Sequence, residues 1–278
     1  MKARARNFWV LYPGLSLAIF FLIPFTIMLA TSFFRQNPAG YSEPAFVVEN
    51  YARFLTPFFG RVLLVSVLFS ASAAALAVLL AFPFTYLLTR MRGRAQAAVL
   101  IFLLSVLSLS EVIVGFAWST LLSKTAGIGT LLAYLGLLDA PRSFAPSVGG
   151  LLTSLVYIGF PYAVLLMYPA LSRLDPEIPE AARSCGASPL RSFLTVVVPM
   201  MRGTLTGGFI LVFVFTLGAY ILPQVLGRPQ DWTLSVHITD QAVFQANLPF
   251  ASAMAIFLLL VSLALVGLSM VIGQKENG

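Results

Sequence analysis

The hydrophobic positions of this chain gather into long runs separated by short polar, mostly basic stretches. A bilayer core of about 30 Å needs roughly 20 apolar residues as helix. Six runs reach that length, at about 8–34, 61–88, 98–122, 147–171, 204–226 and 249–273. Charge inside them is confined to Glu111, with Arg61 and Arg90 at or beyond the ends of the second run. Runs this long, filling most of the chain, exclude the buried core helices of a soluble domain. Pro13, Pro24, Pro83 and Pro161 fall inside runs, and membrane helices tolerate such kinks where neighbours or water satisfy the freed carbonyls. The first run follows Lys2, Arg4 and Arg6, but its apolar stretch is too long for a signal-peptide core and lacks a small-residue cleavage site. It is read as an uncleaved span. The predicted fold class is all-α: a polytopic bundle of six membrane helices, forming a single domain over 1–278.

Composition agrees with that pattern. Hydrophobic residues make up 59% of the 278 residues and charged residues only 10%, against roughly a quarter charged in soluble domains. Most of the surface therefore faces lipid or a partner chain. The net charge of +7 raises the question of nucleic acid, but the placement of the charges answers it. With six spans both termini share a side, and on that side lie Lys2, Arg4, Arg6, Arg90, Arg92, Arg94, Arg173, Arg183, Arg191, Arg202 and Lys275. The other side holds only Arg35, Arg53, Arg61, Lys124, Arg142 and Arg228. Short loops rich in Lys and Arg stay in the cytoplasm, so both termini are expected there. No nucleic-acid partner is needed to explain the charge.

Candidate chemistry is sparse. One cysteine, Cys185, and one histidine, His237, leave neither a disulfide framework nor a metal cluster to assemble. No G-x-x-x-x-G-K-[ST], G-x-S-x-G or H-E-x-x-H pattern occurs. No catalytic residue, metal or cofactor is assigned, and the chain is not expected to be an enzyme.

The most informative stretch is 172–203, between the fourth and fifth runs. Asp175-Pro176 and Ser188-Pro189 each read as a helix cap followed by proline at the first helical position. Gly186 suits the left-handed residue that ends a helix, and Pro199 is placed to stop or break the second helix. The pattern predicts two short helices, the first over Glu180–Cys185. With Ala181 and Ala182 offering no bulk and Glu180 and Arg183 one charge of each sign, that helix can be read as a stub for a partner's cleft or as an ordinary interfacial loop.

The same stretch resembles the signature loop of permease subunits of bacterial binding-protein-dependent ABC importers. That signature is Glu-Ala-Ala, three residues, Gly, nine residues, then Ile-x-Leu-Pro; here it stands as Glu180-Ala181-Ala182, Gly186 and Val196-Val197-Val198-Pro199. The stretches 186–193, 218–227 and 248–251 are similar to the spermidine/putrescine branch of these permeases. The resemblance spans the second to sixth runs. It implies a cytoplasmic coupling helix around Glu180, Ala181, Ala182, Arg183 and Gly186 that sits in a groove of an ATPase. It also implies partners: two cytoplasmic ATPase subunits, a second permease subunit (a copy or a sister chain) and a periplasmic solute-binding protein, around the lipid bilayer. One departure stands in the third run, where Gly115 occupies the place before Phe116-Ala117-Trp118 at which polyamine permeases often carry a basic residue. The solute is then a polyamine or a similar small organic compound.

Glu111 is the one ionisable residue in the middle of a run, and a charge there belongs in the bundle interior or a watery cavity. It either lines the solute path or is a structural carboxyl bonded to Ser108, Ser110 or a neighbouring helix. Tyr220 and Pro223 can shape a gate or simply pack. Arg228, Asp231, His237 and Asp240 either meet the binding protein or are solvated. Trp9, Tyr12 and Trp232 fit interfacial anchoring, and Gly207-Gly208 permits close helix approach. The rival reading, a secondary transporter or channel using Glu111, lacks the repeats and multiple intramembrane charges such proteins carry.

Overall fold

The structure is a computed structural model that describes residues 2–37 and 42–275, with side chains described over 14–37, 42–267 and at 270. Helix dominates for a physical reason. In lipid only helices and closed barrels satisfy every backbone group internally, and the runs are dominated by Leu, Ala, Val and Phe. In chain order, α1 (Lys2–Thr31) leads to a two-residue antiparallel ladder, β1 (Arg35–Gln36) and β2 (Ser42–Glu43). Then come α2 (Glu49–Ala52), α3 (Pro57–Leu88), α4 (Gly93–Leu107), α5 (Glu111–Leu121), α6 (Ile128–Tyr134) and α7 (Val148–Ser172). Next are α8 (Glu177–Ser184), α9 (Pro189–Ser192), α10 (Val198–Met200) and α11 (Arg202–Gly218). Finally α12 (Ile221–Leu226), α13 (Leu234–Thr239) and α14 (Leu248–Lys275) complete the chain.

Among the described residues, α1, α3, α7 and α14 are each long and apolar enough to cross a membrane, and α3 and α7 continue through Pro83, Pro161 and Pro169. The third and fifth runs differ from the sequence expectation of straight spans. The third is divided into α4 and α5, bent by 96°. The fifth begins with a 74° bend after Met200 and breaks again at Ala219-Tyr220, before α12.

Two compact units share the chain, Met1–Arg61 with His237–Val261 and Val62–Val236 with Ser262–Gly278. In the first, Asn50 is buried and its amide donates to the carbonyls of Ser32 and Phe34, each at 2.9 Å, so the chain leaving α1 keeps its backbone bonded. Phe54 stacks on Phe250 and Phe257, and the Arg53 guanidinium lies 4.4 Å from the Phe250 ring centre.

The second unit is held by close helix contact. A Cβ at Gly159 of α7 would meet Val212 Cγ1 at 2.6 Å, and one at Gly208 of α11 would meet Met167 Cε at 2.8 Å. Small residues at these positions let α7 and α11 approach, as the Gly207-Gly208 pair predicts. Leu151, Leu155, Leu222 and Leu226 are buried with Val114 and Ala73 around them. Ser66 ties α13 to α3 by accepting from the Leu234 amide at 2.8 Å. Outward faces remain apolar: Phe20, Leu79 and Phe116 are 82%, 68% and 63% exposed. No soluble protein could present that surface, whereas a multi-pass membrane subunit must.

Candidate functional site

Two places depart from straight helix, and the predicted site residues divide between them. At the first, Ser110 caps α5, its hydroxyl accepting from the Val112 amide at 3.3 Å. Glu111 is therefore not in mid-helix, as the apolar run implied, but in the first turn of a broken span. Its Oε1 accepts from the Leu222 amide at 3.5 Å, beside the Ile221 amide at the start of α12. First-turn amides have no partner within their own helix, and the carboxylate supplies one across 111 residues of sequence. Of the roles open to Glu111, bonding to a neighbouring helix is thus realised. Glu111 also borders a cavity of about 200 Å³ with Val106, Leu109, Ile158, Tyr162 and Phe215.

Tyr220 stands at the break itself, half-buried, at the cap position of α12. The structure therefore brings Glu111 beside Ile221, the residue after Tyr220, although Tyr220 does not line the cavity. Gly115 is buried one turn along α5, and a Cβ there would meet Ile221 Cγ2 at 3.1 Å. A larger side chain at this position would press on the Ile221 and Leu222 side chains. Tyr162 and Phe215, whose ring centres are 4.5 Å apart, gave no signal in the sequence beyond their place in apolar runs.

The second place is the 172–203 segment. Helix α8 covers Glu177–Ser184, three residues earlier at its start than the expected 180–185. The reason is Asp175, whose Oδ1 accepts from the Glu177 amide at 2.9 Å while Pro176 itself takes the cap position. At the other end Gly186 has φ +89°. Its amide donates to Arg183 O at 2.9 Å and the Ala187 amide to Ala182 O at 3.1 Å. That pair of bonds is the glycine stop that satisfies the last carbonyls of a helix. Ser188 then caps α9, accepting from the Arg191 amide at 3.3 Å, with Pro189 in the first turn.

Pro199 does not stop the helix. The chain widens to a π-turn over Phe193–Val197, continues through α10, and bends only at Met201. Proline has no amide for the carbonyl four residues back and its ring crowds it, so the widening falls on the turn before Pro199. Sequence reasoning missed Ser192, a buried residue whose hydroxyl donates to Pro179 O at 2.9 Å and ties α9 to α8. It also missed Phe193, which packs on Phe82 and Tyr86 of α3, while Arg90 lies 4.0 Å over the Tyr86 ring. Glu180, Ala181, Arg183 and Cys185 are exposed; Ala182 is half-buried.

The remaining candidates are scattered. Arg228 donates to Pro146 O at 3.4 Å. His237 lies 5.6 Å from the Phe58 ring; burial pulls its pKa below the usual histidine value, opposed by the nearby Asp240 carboxylate. Trp232 is half-buried. The side chains of Lys2, Arg4, Arg6, Trp9, Tyr12 and Lys275 lie outside those described.

Comparison with known proteins places these features. The family of inner membrane components of binding-protein-dependent transport systems matches residues 97–276, which include both the Glu111 junction and the α8–α9 hairpin. The chain belongs to this family. It is an inner-membrane importer permease. The PotB permease protein of the spermidine/putrescine transport system of Escherichia coli K12 is 26% identical over 245 residues, 88% of this chain and 89% of that one. The PotB protein of Haemophilus influenzae is 25% identical over 240 residues, 86% of this permease and 84% of that protein. The inner membrane ABC transporter permease protein YdcU of E. coli K12 is 28% identical, over 76% and 71% of the two chains. Among solved structures, a bacterial ABC transporter that imports the acidic polysaccharide alginate superposes with TM-score 0.71 at 20% identity, covering 99% of both chains. The alginate transporter in complex with its alginate-bound periplasmic protein gives TM-score 0.74 at 18% identity, over 99% and 96%. These two likenesses establish the shared fold.

Proposed function

We propose that this permease moves a small organic cation, a polyamine or a compound like it, from periplasm to cytoplasm, driven by ATP hydrolysed on separate subunits. Helix α8 carries this reading. It is a short, capped, exposed helix presenting Glu180, Ala181 and Arg183, joined to the bundle through Ser192 and Phe193. A helix built this way transmits a push, because its ends are bonded and its outer face is free. Residues 172–203 form the coupling loop, and Gly186 sets the angle between α8 and α9. Two cytoplasmic ATPase subunits receive α8 and its counterpart on a second permease subunit. A periplasmic binding protein delivers the solute at the opposite face, and both termini lie in the cytoplasm.

The pathway runs past the broken spans at Glu111 and Tyr220. Irregular backbone at membrane depth is tolerated where it lines a cavity or is buried in protein, and transport sites in other membrane families use helices broken in this way. The similarity to the PotB proteins supports an amine as the solute, and a carboxylate at the break favours a cation over an anion.

The test is affinity purification of the permease from its native membrane under mild conditions. An ATPase, a second permease and a solute-binding protein should travel with it, and the binding protein should take up putrescine or spermidine. Recovery of the permease alone would overturn the coupling role of α8.

A further inference from the structure

The cavity at the Glu111 junction carries more chemistry than a structural cap requires. Its volume of about 200 Å³ lies below the roughly 300–1,000 Å³ of pockets that enclose a whole drug-sized ligand, so it suits one end of a flexible solute. Glu111 is the single carboxylate on its wall, which it shares with the phenol of Tyr162. One carboxylate oxygen, Oε1, accepts from the Leu222 amide at 3.5 Å. The Ile221 amide is a second backbone donor to the same carboxylate. Tyr162 of α7 and Phe215 of α11 share the wall, their rings tilted by 45° with centres 4.5 Å apart. Ring faces attract a cation within about 6 Å, and Ile158 and Val106 provide apolar wall for methylene groups.

We propose that Glu111, Tyr162 and Phe215 form a subsite that accepts one alkylammonium end of the solute during its passage. This rests on the import of an organic cation proposed above. Glu111 is the charge partner, and the two aromatic rings are specificity-determining walls. An anionic solute meets the carboxylate and is repelled, while a neutral one forfeits the charge-assisted bond.

A Glu111→Gln variant separates this role from capping, because the amide oxygen still accepts from Leu222 while the charge is gone. The complete transporter, with its ATPases, partner permease and binding protein, is reconstituted in proteoliposomes with putrescine as the probe. Solute moved per ATP hydrolysed should fall at least about tenfold in Glu111→Gln, the scale of a lost hydrogen bond to a charged group. ATPase stimulation by the loaded binding protein should stay at the wild-type level. Tyr162→Leu and Phe215→Leu should each fall by about two- to fivefold, the range of an exposed cation–π contact, and Tyr162→Phe should match wild type. Unchanged uptake in Glu111→Gln overturns the subsite and leaves the import reading standing. Loss of ATPase stimulation together with uptake makes Glu111 a purely structural group and also overturns the subsite. A wild-type transporter that takes up no putrescine overturns the solute reading and the subsite with it.

Discussion

In the α8–α9 hairpin, each helix end is held by partners close in sequence: Asp175 with Glu177, Arg183 with Gly186, Ala182 with Ala187, Ser188 with Arg191. At the Glu111 junction the decisive partners are far apart, Glu111 with Leu222 and Gly115 with Ile221. Both regions interrupt straight helix, but one is written into the consecutive residues 175–191 and the other exists only once α5 and α12 are packed. A change inside the hairpin should therefore act locally and show in transport, whereas a change to the packing of α5 against α12 should act on the stability of the bundle. Each expectation below tests that division.

The largest stability effect belongs to the junction. Gly115 is buried, with Ile221 Cγ2 at 3.1 Å and Leu222 Cδ2 at 3.7 Å from the position of an added Cβ. Gly115→Leu adds three further carbons beyond that point and forces α12 outward. Overpacking of this kind costs about 1–3 kcal/mol, read as a lowered unfolding midpoint of the purified permease. A midpoint equal to wild type would show that α12 yields freely and that the break is not fixed by packing.

The same contrast explains what could be read in advance. The Asp-Pro, Gly and Ser-Pro punctuation of 172–203 located both short helices and the left-handed Gly186, because caps and glycine stops act over a few residues. The starting residue of α8 was placed three positions late, since the Asp175 side chain bonds to Glu177 and not further on. The apolar runs found every long helix but concealed the breaks at 108–110 and 219–220. Hydrophobicity reports membrane burial and is blind to helix direction, so Ser110-Glu111 looked like an intruder within a span. The cavity wall was equally hidden: Tyr162 and Phe215 lie on different helices and meet only through the α7–α11 packing that Gly159 and Gly208 permit.

An intermediate effect is expected at Gly186. Its φ is +89°, and nothing lies within 4 Å of where a Cβ would stand. A substitution there meets backbone strain alone, about 1–2 kcal/mol for an ordinary L residue and more for a β-branched one. Gly186→Val should leave the membrane level unchanged and lower the unfolding midpoint by no more than that strain, yet reduce putrescine uptake strongly while ATP hydrolysis continues. Gly186→Asn, which visits the left-handed region more readily, should retain most of the uptake. Equal uptake in Gly186→Val and wild type would remove α8 from the coupling path.

The smallest effect, and the sharpest local probe, is at Ser188. Its hydroxyl accepts from the Arg191 amide at 3.3 Å and it is exposed, so Ser188→Ala removes one cap without opening a cavity. Loss of such a cap costs about 1 kcal/mol, enough to speed local opening about fivefold. Hydrogen exchange should therefore accelerate at Arg191 and Ser192, the amides at the start of α9. The Schellman bonds that end α8 lie before Ser188 and are untouched, so Ala187 should exchange as in wild type. If both helices loosened together, the hairpin would be one cooperative unit held mainly by the Ser192–Pro179 bond, and the cap would matter less than the cross-link. That outcome would move the mechanical weight of the segment from its ends to its centre, and Ser192→Ala would become the variant expected to disturb uptake.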